Sequence, residues 1–263
     1  MKAVRIVAMA GVAVVIGVPA LAQTADEIIE KHLQAVGGKD KLKAVQTERI
    51  TGKMVLGQGM EAPFTMEMAR PNKMRMEFTI QGMTGVQAFD GKSGWSVMPF
   101  MGTTEPEAMP EDDAKRMQEQ SDMDGLLLDY KDKGRQVEYA GKEDLEGTPV
   151  HKLKVTQKNG DVVYVYIDAE QFMQLKQAGK AKIRGQEVES ETTFGDFKPV
   201  DGLLFPHSIE QKAAGMPAGM VMTISKIELN PSVADSRFAM PAAEKKEAPE
   251  KKEAPAPQKP PQT

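Results

Sequence analysis

Cysteine is missing from this sequence altogether, which excludes a disulfide framework and any thiolate metal site. Aromatic residues make up only 5%, with Trp95 as the single tryptophan. There are three histidines, His32, His151 and His207, and their spacing fits no metal-ligand pattern. Neither a G-x-S-x-G elbow nor an H-E-x-x-H helix occurs. Gly91-Lys92-Ser93 looks like the end of a phosphate-binding loop. Val86 stands where that loop needs a glycine, however, and Trp95-Ser96-Val97-Met98 continues as a strand. The reading is therefore of a protein that is not an enzyme and needs no cofactor or metal.

Long apolar runs are also lacking. The longest, Ile6 to Val18, is broken only by Gly11 and Gly17 and falls short of the ~20 residues a membrane span requires. It follows a basic start with Lys2 and Arg5 and leads through Pro19 to Ala20-Leu21-Ala22, the pattern of an export signal with its cleavage site. Residues 1–22 are thus expected to be a signal peptide. With no cysteine to lipidate, the mature protein is expected in the periplasm, soluble and not membrane-anchored. Its removal leaves 32 basic against 38 acidic residues, a net charge of −6. That argues against a nucleic-acid partner and against docking on anionic lipid.

What the chain has in quantity is methionine, nineteen residues against nine phenylalanines. Met is flexible and polarizable and suits both irregular cores and surfaces that accept varied apolar ligands. Thr24-Ala25-Asp26-Glu27 reads as a capping box. Ile28, Ile29, His32, Leu33 and Val36 then share one helical face, and Gly37-Gly38 ends the helix. His32, in the middle of that stripe, reads as a hydrogen-bonded packing histidine.

From Val45 the period changes to two. Met54 and Leu56, then Met66 and Met68, then Met74, Met76, Phe78 and Ile80 alternate with polar or small neighbours, the mark of half-buried antiparallel strands. Turn signals at Arg70-Pro71-Asn72, Gln81-Gly82 and Asp90-Gly91 make this a meander. Pro110 followed by Glu111-Asp112-Asp113 opens a helix, and a second short helix is expected near Leu126–Tyr130. Strands resume at Gln136, with a hairpin across Asn159-Gly160. Glu187, Glu189 and Glu191 face Lys180 and Lys182 as a solvated charge ladder. After Met240 the chain repeats Glu-Lys-Lys-Glu-Ala-Pro from Glu244 and Glu250, a composition that builds no core. Residues 241–263 are expected to form a disordered tail acting as a solvated spacer.

The fold class is therefore mainly β. About eleven strands and three short helices are expected in one domain, residues 23–240. Met66, Met68, Met74, Met76, Phe78 and Ile80 are expected to line one continuous apolar wall, partly open to ligand.

Ala69-Arg70-Pro71-Asn72-Lys73-Met74-Arg75-Met76-Glu77, then Phe89-Asp90-Gly91-Lys92-Ser93-Gly94-Trp95 and Met98-Pro99-Phe100, resemble the LolA family of periplasmic lipoprotein carriers. The later Asp201-Gly202-Leu203-Leu204-Phe205-Pro206 is similar to a late strand of the wider LolA/LolB-like group. Met76 stands where the family's first motif strand often has a tryptophan. The resemblance implies an incomplete antiparallel β-barrel whose helices lid a hydrophobic cavity for acyl chains. It places Trp95 with the cavity wall and makes Arg70 a latch between barrel and lid. It also implies a monomeric carrier of lipoprotein or another acylated lipid, with an inner-membrane donor and an outer-membrane acceptor. A lipid-occupancy sensor or scaffold regulating a protein partner is the second reading on the same fold. An enzyme acting on lipid or glycan ranks lowest.

Overall fold

A computed structural model describes residues 24–56, 59–183, 186–214 and 219–242. The signal segment, nearly all of the charged tail and the Arg184-Gly185 turn lie outside the described residues. Thirteen strands form one antiparallel sheet in the order β6-β5-β4-β3-β2-β1-β13-β12-β11-β10-β9-β8-β7. The first meander is β1 (Thr47–Leu56), β2 (Met60–Ala69), β3 (Lys73–Ile80), β4 (Met83–Phe89), β5 (Gly94–Met98) and β6 (Thr103–Ala108). The second is β7 (Gln136–Leu145), β8 (Thr148–Thr156), β9 (Val162–Asp168), β10 (Gln174–Ile183), β11 (Gln186–Val200), β12 (Leu203–Ala213) and β13 (Met220–Leu229). Pairing of β1 with β13 joins the two. β6 and β7 are left as the edges, so the sheet is an incomplete barrel.

The alternating pattern explains why one face of this sheet is apolar. Ile50 opposes Met66 and Ile227, and Met54 opposes Ala62 and Met222, so neighbouring strands stack their apolar residues on one side. The concave face holds three clusters. α1 (Ala25–Ala35) lays Ile28, Ile29 and Leu33 against Leu153, Val155, Val165 and Ile167. A middle cluster gathers Ile50, Met54, Phe64, Met222, Ile224 and Ile227. The third sets Met117 of α3 (Glu111–Gln120) over Met68, Met74 and Phe89. α1 carries the expected capping box, with Thr24 and Glu27 each accepting the other's backbone N–H. His32 is buried, with Nδ1 2.8 Å from the Phe172 carbonyl.

Three elements differ from the sequence expectation. β6 carries Thr103-Thr104-Glu105-Pro106-Glu107-Ala108, which has no apolar period because an edge strand pairs through its backbone alone. α2 (Lys39–Ala44) is a further short helix. In place of the helix expected near Leu126–Tyr130, the chain makes successive turns. Leu127 and Leu128 there are buried against α1. The ladder on β10 and β11 is present as ion pairs Lys180–Glu187 at 3.2 Å and Lys176–Glu191 at 2.8 Å.

Candidate functional site

The wall expected from the period-two pattern is one face. Met66 pairs with Met76, Met68 with Met74 and Phe64 with Phe78 across β2 and β3. Its two ends are not equivalent. Met68 and Met74 are sealed under Met117, whereas Met66, Met76, Phe78 and Ile80 are half-buried and pack on the middle cluster. Leu56, Phe205, Ile209 and Met220 continue the half-buried surface from β1, β12 and β13. Between the regions covered by α1 and α3 there is therefore an apolar trough, closed at the Met68 end and half-open towards Ile80.

Two glycines let the cover come close. A Cβ on Gly94 would sit 2.9 Å from Met109 Sδ and 3.4 Å from Ala114, so glycine here leaves room for Met109 while α3 lies in contact with β5. A Cβ on Gly85 would lie 2.7 Å from Phe100 Cε1. Its absence lets Phe100 fold over the trough with its ring 5.6 Å from Phe78 at 54°, a tilted geometry favoured by aromatic pairs.

Trp95 is placed elsewhere. Gly94, not Trp95, pairs with Phe89, so Trp95 points to the outer face and does not line the trough. There the segment after β13 crosses the sheet as a strap. Trp95 Nε1 donates to the Phe238 carbonyl at 2.8 Å, and Phe238 is fully buried. Arg237 pairs with Glu67 and Glu77, and Arg75 Nη1 donates to the Arg237 carbonyl at 2.9 Å.

Arg70 bridges three elements. Its Nε donates to the Val45 carbonyl at 2.7 Å, and its Nη2 to the Leu42 carbonyl at 3.1 Å and to Asp124 Oδ1 at 2.6 Å. It therefore ties the end of β2 to α2 and to the turns that follow α3. Asp124 also pairs with Lys133 at 3.0 Å. Burial alone would raise the Asp124 carboxyl, but the hydrogen bonds from Arg70 and Lys133 outweigh it and hold it below its ordinary range. Neighbouring Asp122 accepts from Lys133 at 2.6 Å and from Arg135 at 2.9 Å, so the turns of the lid are fixed by an ionic cluster.

A buried carboxyl shares this face. Glu48 pairs with Met68 on one side and Leu229 on the other, so it shares the concave face, and it is 9% exposed. Burial pushes its carboxyl up to about 7, against an opposing pull from Arg70. Sequence reasoning passed over both Glu48 and Asp124. The phase of Glu48 with Ile50 was the available signal, whereas Asp124 carried none. A separate cavity of about 340 Å³ lies between α1 and the turns, with Ile29, Leu33 and Leu127 as floor and Asp26, Lys39 and Lys131 on its rim. Among the described residues there is no cluster that could hold a metal ion and no helix long and apolar enough to cross a membrane.

No family model and no curated protein sequence matches the chain. Solved structures do. A DUF1329 family protein from Desulfovibrio piger superposes with a TM-score of 0.57 at 11% identity, over 81% of this chain and 96% of that one. A putative outer membrane lipoprotein-sorting protein domain from Vibrio parahaemolyticus gives 0.54 at 14%, over 81% and 94%. A LolA superfamily protein from Nitrosomonas europaea gives 0.54 at 14%, over 83% and 98%. With its thirteen-stranded open sheet and the helices packed on its concave face, this chain is similar in fold to that LolA superfamily protein and to that putative lipoprotein-sorting domain.

Proposed function

We propose that this protein carries lipid acyl chains in the periplasm and works in the sorting of lipoproteins to the outer membrane, between an inner-membrane donor and an outer-membrane acceptor. The observation that carries the reading is the apolar trough. Met66, Met76, Phe78 and Ile80 stay half-buried on the concave face between the parts that α1 and α3 cover. Apolar surface left in a concavity is the usual form of a ligand site. The unbranched methionine side chains adapt to chains of different length and unsaturation. The likeness in fold to a lipoprotein-sorting domain and a LolA superfamily protein supports the same reading. Binding and release need no covalent chemistry: burial drives uptake, at about 0.8 kcal/mol per methylene removed from water. Shielding ends when the lid is displaced.

Native mass spectrometry of the protein isolated from the periplasm, followed by lipid extraction, tests this. Acylated lipid in stoichiometric amount is the expected result. A stable complex with a protein and no lipid would favour the occupancy sensor. Neither lipid nor displacement of an acyl probe would overturn carriage.

A further inference from the structure

Glu48 is hard to explain as part of a core. It stands on the apolar face between Met68 and Leu229, almost fully buried. Among the described residues none donates a hydrogen bond to it or pairs with it. An enclosed carboxyl with no partner is costly to a fold, and methionine or leucine at this position would continue the cluster. No described side-chain oxygen is both fully enclosed and without a partner, so the Glu48 carboxyl is not completely enclosed, and the register puts it on the same face as Met66 and Met68. Arg70 acts on it electrostatically but spends Nε and Nη2 on the Val45 and Leu42 carbonyls and on Asp124.

We propose, building on the carriage reading, that Glu48 is the polar anchor of the trough. It takes a hydrogen bond from an N–H or O–H donor on the head of an otherwise apolar ligand, whose chain lies along Met66, Met76 and Phe78. The ligand class is an amphiphile with an amine, amide or hydroxyl head, and carboxylate-headed lipids are disfavoured. Two features select this class. The carboxylate accepts and cannot donate when ionised, so a donor on the ligand satisfies it and a second carboxylate repels it. The stretch of Met66, Met76 and Phe78 beside Glu48 is apolar, so a single donor at the end of a chain is the complement it offers. A charge-assisted hydrogen bond in a water-poor site is strong enough to discriminate about tenfold between heads.

The test is competition for a bound fluorescent acyl probe by decylamine and decanoate, which share a chain and differ in head. It is run at pH 8 and 0.15 M salt, on the wild type and on Glu48→Gln. Decylamine is expected to displace the probe from the wild type about tenfold more effectively than decanoate, with most of that preference lost in the variant. Glu48→Met, which removes the carboxyl and keeps the volume, is the second variant and should behave alike; melting curves of both establish that they fold. An amine preference unchanged in the variants, or absent from the wild type while both compounds bind, overturns the anchor and leaves carriage standing. No displacement by either compound overturns both.

Discussion

Arg70 Nη2 donates to Asp124 Oδ1 at 2.6 Å across 54 positions of sequence, and this ion pair joins the barrel to the turns that close over it. Both side chains are largely shielded, at 21% and 13% exposure, so the pair escapes most of the screening that weakens surface ion pairs. A strand-end arginine satisfying two backbone carbonyls and one carboxylate is a joint whose loss affects two elements at once.

Arg70→Leu should therefore loosen the lid. Probe release, followed by stopped-flow fluorescence, should become faster, and chemical denaturation should register a loss of about 1.5–3 kcal/mol from the charge-assisted bonds. Asp124→Asn should do less, because Arg70 keeps its carbonyl partners. A double-mutant cycle measures the coupling between the two. Release unchanged in Arg70→Leu would make Arg70 a purely structural joint.

Glu48 predicts an unusual pH profile. Its carboxyl is raised from 4.5 to about 7 in the fold, so the unfolded chain gives up its proton first as pH rises. The protonated folded form is at no disadvantage below pH 4.5; the cost grows from there to about 7 and is constant above. Across that window the fold should lose about 3 kcal/mol, and Glu48→Gln should recover it. Urea titrations of both proteins at pH 5 and 8 check this. Asp124, held below its ordinary range by Arg70 and Lys133, stays charged across that window and does not produce the step.

The two ends of the methionine wall should respond differently. Met76→Glu places a charge on the half-open stretch and should abolish acyl-probe binding while leaving the melting temperature within a few degrees of the parent. Met74→Glu puts the charge under Met117 and should destabilise by several kcal/mol. If Met76→Glu unfolds the protein as well, the trough is closed core.

The strap offers its own reporter. Phe238→Ala should cost about 3–5 kcal/mol for a fully buried ring, and Trp95, the only tryptophan, should change its emission as its Phe238 carbonyl partner moves. Removing residues 243–263 should alter neither quantity, since a Glu-Lys-Ala-Pro composition builds no core.

Period-two alternation made the Met66–Ile80 wall legible because β3 repeats the phase four times and β2 carries it on through Met66 and Met68. β5 is five residues with glycine, tryptophan and serine in sequence, too short and mixed to fix a phase, so nothing in it corrects the wall position that the resemblance implies for Trp95. β6 offers no apolar residue beyond Ala108, and its existence rests on backbone pairing with β5. Arg70 was legible through its motif. Its partner Asp124 was not, because an ion pair across the fold leaves no local pattern.

The pairing of β1 with β13 sets a schedule. The chain emerges from synthesis with β1 first, yet that strand's second neighbour, β13, is the last to appear, ending at Leu229. Until then the exposed side of β1 presents Ile50 and Met54 beside unpaired backbone groups, an edge of the kind that recruits other strands. Such late, long-range pairing is slow to nucleate. The nascent protein thus cannot complete its concave face until nearly all of it has been made, and whatever keeps it from aggregating must stay with it that long.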